Sequence, residues 1–177
     1  MALSEQELVR RESLQKIRDL GIDPYPPEPF PVTHHASEIK SAFNDDTEQW
    51  QDVAIAGRVM MIRNMGKASF AELQDASGKI QIYVARDEIC PDEDKTLYNK
   101  LFAKLLDIGD YIGVKGYVFR TRMGEITLHV KELKLLSKAL HPLPIVKKDA
   151  EGNIHDAFTD PEQRYRQRYL DLTVNDG

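Results

Sequence analysis

The chain has 177 residues, 41% hydrophobic and 30% charged, a balance that allows a packed core and disfavours wholesale disorder. Its formal net charge is −5, from 24 basic against 29 acidic residues, which argues against a binder that holds nucleic acid through excess Lys and Arg alone. The single cysteine, Cys90, cannot form an internal disulfide, no apolar run is long enough to span a membrane, and the first residues lack a secretory pattern, so the expectation is a soluble cytoplasmic protein.

In chain order, Ser4 and Glu7 have the spacing of a capping box and Gly21 is a stop signal, which predicts a helix over residues 5–20. Leu14 and Ile17 give it a narrow apolar stripe, while Arg10, Arg11, Lys16 and Arg18 make it basic. That pattern fits either a solvated helix docked on one side or a contact with an acidic partner. The prolines of residues 23–31 exclude helix and sheet interior and predict an extended strap, and residues 37–43 can make a short helix.

A β region is expected to begin at residues 53–63, a strand long enough, and with a glycine at Gly57, to bend around a small barrel. The next stretch alternates: Ala71, Leu73, Ile80, Ile82 and Val84 fall on one face of a hairpin, and Glu72, Gln74, Lys79 and Gln81 on the other. Asp75-Ala76-Ser77-Gly78 between the halves is turn chemistry, so strands two and three form a hairpin with one buried face. Residues 91–106 read as a helix with Leu97, Leu101, Phe102 and Leu105 on one stripe and an acidic first turn. Residues 111–120 and 126–136 are strands four and five, joined by a turn at 121–125. A mainly β fold of five strands with a helix between the third and fourth is the layout of an OB-fold barrel, whereas a plain five-stranded meander has no use for that helix.

Beyond Leu140, residues 141–144 read as an extended link and 147–153 as a polar loop. Asp160-Pro161-Glu162 opens a C-terminal linker helix over 161–172. Tyr165, Tyr169 and Leu172 form its apolar stripe, with little chain left to pack on, which suggests a sequence cut short. The expected organisation is therefore an N-terminal helix, strap and short helix in 1–50, an OB-fold in 51–140, and a linker with the start of a further domain in 141–177.

No catalytic constellation emerges. Gly109, Gly113 and Gly116 lack the spacing of a dinucleotide fingerprint, and there is no phosphate-binding loop. His34, His35, His129, His141 and His155 never take helical metal-site spacing, so no metal is expected; Cys90 has no nucleophile motif, and Glu72, Asp75 and Asp87 read as solvated hairpin carboxylates.

The hairpin parity leaves Phe70 and Tyr83 on the polar face, opposite one another. Two readings follow: a stacking platform with hydrogen-bonding amides at its edge, suited to a splayed single-stranded base, or a cover beneath the strap or an N-terminal helix. A sequence-tolerant single-strand binder would want more basic surface and more platform aromatics. A protein-interaction module remains a third possibility.

The runs Gly57-Arg58-Val59, Gly66-Lys67-Ala68-Ser69-Phe70, Leu73-Gln74-Asp75, Ile80-Gln81-Ile82-Tyr83-Val84-Ala85-Arg86-Asp87, Gly124-Glu125 and Arg164-Tyr165-Arg166-Gln167-Arg168-Tyr169-Leu170-Asp171-Leu172 occur in one order. Together they resemble the N-terminal part of bacterial class II lysyl-tRNA synthetases. The Tyr-Leu-Asp-Leu ending also suits the aspartyl and asparaginyl enzymes, while Gly-Lys-Ala-Ser-Phe and Arg-Tyr-Arg-Gln-Arg-Tyr favour lysine. The resemblance implies an OB-fold that grips the anticodon loop of tRNA(Lys). It implies that Phe70 stacks on the central anticodon uracil, Gln81 reads that base's edge, Arg63 lies beside it and Glu125 meets a flanking base, with Tyr83 on the same face. It further implies a full-length homodimer that attaches lysine to tRNA using ATP and Mg2+, held by a domain outside these residues, so that this piece binds tRNA without catalysing.

Overall fold

Five strands close into a barrel in the first of the two units into which the chain divides, Met1–Leu140 and His141–Gly177. The computed structural model describes residues 3–46, 48–144, 147–148, 154–155 and 158–175. The strands are β1 (Val53–Asn64), β2 (Ala68–Gln74), β3 (Lys79–Ala85), β4 (Tyr111–Arg120) and β5 (Ile126–Ser137). Their order is β1-β2-β3-β5-β4, with β4 returning to β1; every pairing is antiparallel except β3 with β5.

Strand β1 serves two neighbours: Val53 to Arg58 pair with β4, and Arg58 to Asn64 with β2. Gly57 sits beside this changeover, where a Cβ would stand 2.9 Å from the Gln74 carbonyl oxygen, while the register irregularity of β1 falls between Val59 and Met61. The closest approach in the barrel is at Gly116, where a Cβ would meet the His129 carbonyl oxygen at 1.8 Å, next to a register shift between β4 and β5.

The hairpin follows its alternation: Gln74 faces Lys79, Leu73 faces Ile80, Glu72 faces Gln81 and Phe70 faces Tyr83. Ala71, Leu73, Ile80, Ile82 and Val84 are all buried, and they join Val59, Ile112, Val114, Leu128 and Val130 in the barrel core. The turn closes by a 2.9 Å bond from the Asp75 N–H to the Gly78 carbonyl.

The connection after β3 departs from the helix expected over 91–106. A short helix, α3 (Arg86–Ile89), comes first, and the second helix starts only at Leu97. That second helix, Leu97–Leu105, is a π-helix, closed by a 2.9 Å bond from the Leu106 N–H to the Leu101 carbonyl five residues back. Proline at 91 and the Asp94 carboxylate, which accepts the Thr96 N–H at 2.8 Å, hold the intervening residues in a turn. The expected stripe survives, with Leu101, Phe102 and Leu105 buried beside Tyr98. The Tyr98 hydroxyl meets the buried Ser69 hydroxyl at 2.8 Å and donates to the Gly66 carbonyl at 2.9 Å, tying the helix to the β1–β2 loop.

Helix α1 (Glu5–Asp19) carries the full capping box, with Gly21 at φ 75° just beyond its end. It packs Ile17 into the core beside the π-helix. Arg10, grouped in the sequence with the basic residues of this helix, fits neither a solvated face nor a contact with an acidic partner, because it is buried: its guanidinium donates to the Ala139 carbonyl at 3.1 Å and the Ile108 carbonyl at 2.8 Å. The strap runs along β1, β4 and β5. Phe30 lies over Gly113, the Tyr25 hydroxyl donates to the Lys138 carbonyl at 2.9 Å, and the Thr33 N–H donates to the Ala54 carbonyl at 2.9 Å. Helix α2 (Ala36–Ala42) is followed by a single 3-10 turn at Glu48–Trp50, which the sequence pattern had not suggested.

In the second unit, β6 (Lys147–Lys148), at the start of the stretch read as a polar loop, pairs with β7 (Ile154–His155) just beyond it; residues 149–153 lie outside the described residues. The helix expected over 161–172 is two helices, α4 (Pro161–Arg166) and α5 (Arg168–Val174), broken at Gln167 with φ −121° and ψ 55°. The break brings Arg164 onto the buried Asp171 carboxylate at 2.6 Å, where Arg168 (2.6 Å) and Asn175 (2.8 Å) also converge. The stripe stays open: Tyr165, Tyr169 and Leu172 are 83%, 68% and 65% exposed.

Candidate nucleic-acid interface

The outer face of the β2–β3 hairpin carries Phe70 and Tyr83 in direct register, their rings 5.1 Å apart and both partly exposed. The strap that could have covered them lies along other strands, and α1 packs on the π-helix. The rings therefore rest on one another and on aromatics from the same sheet.

Gln81 points to this face one alternation from Tyr83, and its Nε2 donates to the Thr127 hydroxyl on β5 at 2.9 Å. That bond holds the amide plane beside the rings. Arg63 stands across from Phe70 on β1 and is exposed. It has no carboxylate partner among the described residues, so a strand-end salt bridge does not account for it. Glu125 closes the β4–β5 turn: its N–H donates to the Thr121 hydroxyl at 3.1 Å and its carbonyl accepts the Thr121 N–H at 2.9 Å. Its carboxylate reaches Lys40 of α2 at 3.4 Å with both groups well exposed, a pairing weak enough to exchange for another partner. Phe70, Tyr83, Gln81 and Arg63 thus fall on neighbouring strands of one face, while Glu125 stands at a loop on its border.

Three more aromatic side chains share the face. Tyr83 meets His129 of β5 edge-on at 5.0 Å, and His129 stacks on Tyr117 of β4 at 4.7 Å with its Nδ1 2.7 Å from the Tyr117 hydroxyl. Phe119 lies 5.8 Å from His129. Burial holds the imidazole below its ordinary pKa, with Lys131 pushing the same way and Glu88 opposing, and burial raises the Tyr117 phenol. His129 is therefore a neutral ring near pH 7. The sequence offered one clue to these residues, the outward parity of Tyr117 and Phe119. Joining them to the hairpin required the parallel β3–β5 pairing, which no local pattern encodes.

For metal chemistry, the described residues contain no group of three or more His, Cys, Asp or Glu side chains that could hold an ion. Nor is any described helix long and apolar enough to cross a membrane.

Residues 53–136 match the OB-fold nucleic acid binding domain of the tRNA anti-codon type. The barrel is an OB-fold domain. Beyond the barrel, the chain is 60% identical over 176 residues to a lysine–tRNA ligase of Porphyromonas gingivalis, covering 99% of this chain and 30% of that protein. It is 60% identical over 173 residues to a lysine–tRNA ligase of Christiangramia forsetii, again 30% of that protein. A lysine–tRNA ligase of Azobacteroides pseudotrichonymphae is 55% identical over 175 residues, 35% of its length. The chain therefore spans about a third of the curated relatives it matches, and the matched domain accounts for the expected OB-fold.

Proposed function

We propose that the outer face of β1, β2 and β3 binds the anticodon loop of tRNA(Lys), as the tRNA-reading arm of a longer protein that attaches lysine to this tRNA. The observation that carries this reading is the partly exposed Phe70–Tyr83 pair, with Gln81 on β3 and, on the adjoining β1, an exposed Arg63 that has no carboxylate partner among the described residues. A uracil offers a ring face, two carbonyl acceptors and one N–H donor. Phe70 takes the face, while Gln81 and Arg63 meet the edge with an amide and a guanidinium. Glu125 is assigned to a flanking base, exchanging Lys40 for it, and Tyr83 buttresses Phe70. Relatives named lysine–tRNA ligase support lysine as the amino acid. ATP and Mg2+ are proposed for the full-length protein, as are homodimer formation and a cytoplasmic setting. No step of adenylate chemistry is assigned to the described residues.

The test is direct binding of anticodon stem-loops to the 177-residue chain. A stem-loop with UUU is expected to bind tighter than one with GUC, and equal affinity for the two would remove the reading.

A further inference from the structure

Helix α2 and the residues after it touch two turns of the barrel. At the start of α2 the Ala36 N–H donates to the Asp75 carboxylate at 2.8 Å and the Ser37 N–H to the Ser77 hydroxyl at 3.0 Å, both in the β2–β3 turn. Beyond its end the contacts go to the β4–β5 turn. Asp45 accepts the Arg120 Nε–H at 2.9 Å, and the same guanidinium donates to the Gly124 carbonyl at 3.2 Å and lies 5.5 Å from the centre of the Phe43 ring. Phe43 in turn packs 6.2 Å from Trp50, which is buried in the core. A line of contacts therefore runs from the core through Phe43 and Arg120, pinned by Asp45, to the residue directly before Glu125.

We propose that Arg120 and Asp45 are positioning residues for anticodon recognition: clasped together on Phe43, they hold the β4–β5 turn so that the Glu125 carboxylate is presented to the flanking base. This deepens the anticodon-loop reading and rests on its assignment of Glu125. Three features favour it. The bonds inside the turn, from Thr121 to Gly124 and Glu125, close it on itself but do not set its tilt against the barrel, which the Arg120 clasp does. Arginine suits the task, because one planar fork takes a carboxylate, a carbonyl and a ring face together, which an ammonium does not. The Arg120 and Asp45 side chains are 40% and 55% exposed, so their pair adds little to fold stability and its main consequence is orientation. A turn held in place before binding spares the cost of ordering it on the RNA. The strands that carry Gln81 and the turn that carries Glu125 thus share one brace, α2 with its following residues.

The experiment uses the 177-residue chain and anticodon stem-loops with UUU, CUU, UCU or UUC. Uracil offers a carboxylate a ring N–H that cytosine lacks at the same position. Asp45→Ala is expected to lower the preference for U at one flanking position, first or third, by roughly 2- to 5-fold, the worth of an exposed ion pair. The preference at the central position and the melting temperature should stay close to those of the parent. Arg120→Lys, which keeps the charge but not the fork, should give the same pattern, and Asp45→Glu should restore the parent preference. Added to Glu125→Gln, Asp45→Ala should cost nothing further, because both act through one carboxylate. Asp45→Ala that binds every stem-loop like the parent, weakens all of them alike, or adds in full to Glu125→Gln overturns the inference and leaves the anticodon reading intact. A parent chain with no preference for U at any position removes that reading and this inference with it.

Discussion

Phe70 decides the anticodon reading at the scale of single residues, because its position separates binding from stability. Its neighbours Ala71 and Ser69 point into the barrel and are fully buried, while the Phe70 ring lies outside. Phe70→Ala is expected to weaken stem-loop binding by about 1–3 kcal/mol with little change in melting temperature. Gln81→Ala should chiefly erode discrimination at the central base, since an amide reads an edge and a ring accepts any base's face. Melting and stem-loop affinity measured on the same protein check this, and a lowered melting temperature with unchanged affinity would assign Phe70 to the fold alone. Both residues were legible in the sequence through parity, although parity could not show whether the strap lay over them. Arg10 was misread for a related reason. Nothing local distinguishes a solvated arginine from one that caps two distant carbonyls.

At the scale of elements, the turn that ends β2 also anchors α2. The Asp75 carboxylate accepts the Ser77 and Gly78 N–H groups at 2.7 and 3.0 Å and the Ser77 hydroxyl at 2.7 Å, while its other oxygen accepts the Ala36 N–H at 2.8 Å. Burial alone would raise its pKa, but the Ser77 hydroxyl and these N–H donors together hold it below the ordinary 3.8. A carboxyl with a lowered folded-state pKa contributes stability above its unfolded value, and that contribution is lost as pH falls through the folded one. Asp75→Ala is therefore expected to cost about 1–3 kcal/mol at neutral pH, where three N–H groups lose an acceptor. The gap between parent and variant should narrow only below about pH 4, where the parent carboxyl begins to protonate. Denaturant midpoints taken from pH 7 down to pH 2.5 measure this, and a gap that is constant to the acid end would rule out the ionised carboxylate as its source. The sequence marked Asp75 as a turn residue and the hairpin as a hairpin because their determinants are adjacent in the chain. The π-helical winding and the break at Gln167 were hidden because each goes with a side-chain bond that helical periodicity does not register. Tyr98 must reach Gly66 and Ser69, and Arg164 must reach Asp171.

At the scale of the barrel unit as a whole, its beginning and end are fastened at one buried charge cluster. Lys138, directly after β5, is 2% exposed and places its ammonium on the Asp110 carboxylate at 2.9 and 3.1 Å, with Asp107 alongside. Asp110 also accepts the Asp107 and Ala139 N–H groups, each at 2.8 Å. Arg10 of α1 closes over the Ile108 and Ala139 carbonyls, and the Lys138 N–H donates to the Pro24 carbonyl of the strap at 3.2 Å. Helix α1, the strap, the loop before β4 and the exit from β5 thus share one set of bonds. The paired charges offset their own desolvation only while both are present, and removing one leaves the other buried without a counter-charge. Lys138→Met is accordingly expected to lower unfolding free energy by about 3–5 kcal/mol. Lys138→Met/Asp110→Asn should recover part of that loss, because it removes the stranded carboxylate while keeping an acceptor for one of the two N–H groups. Urea unfolding of the three proteins gives the comparison. A single variant within about 1 kcal/mol of the parent, as for an exposed ion pair, would show that the cluster is wetter than its burial indicates and does not fasten the ends of the barrel unit.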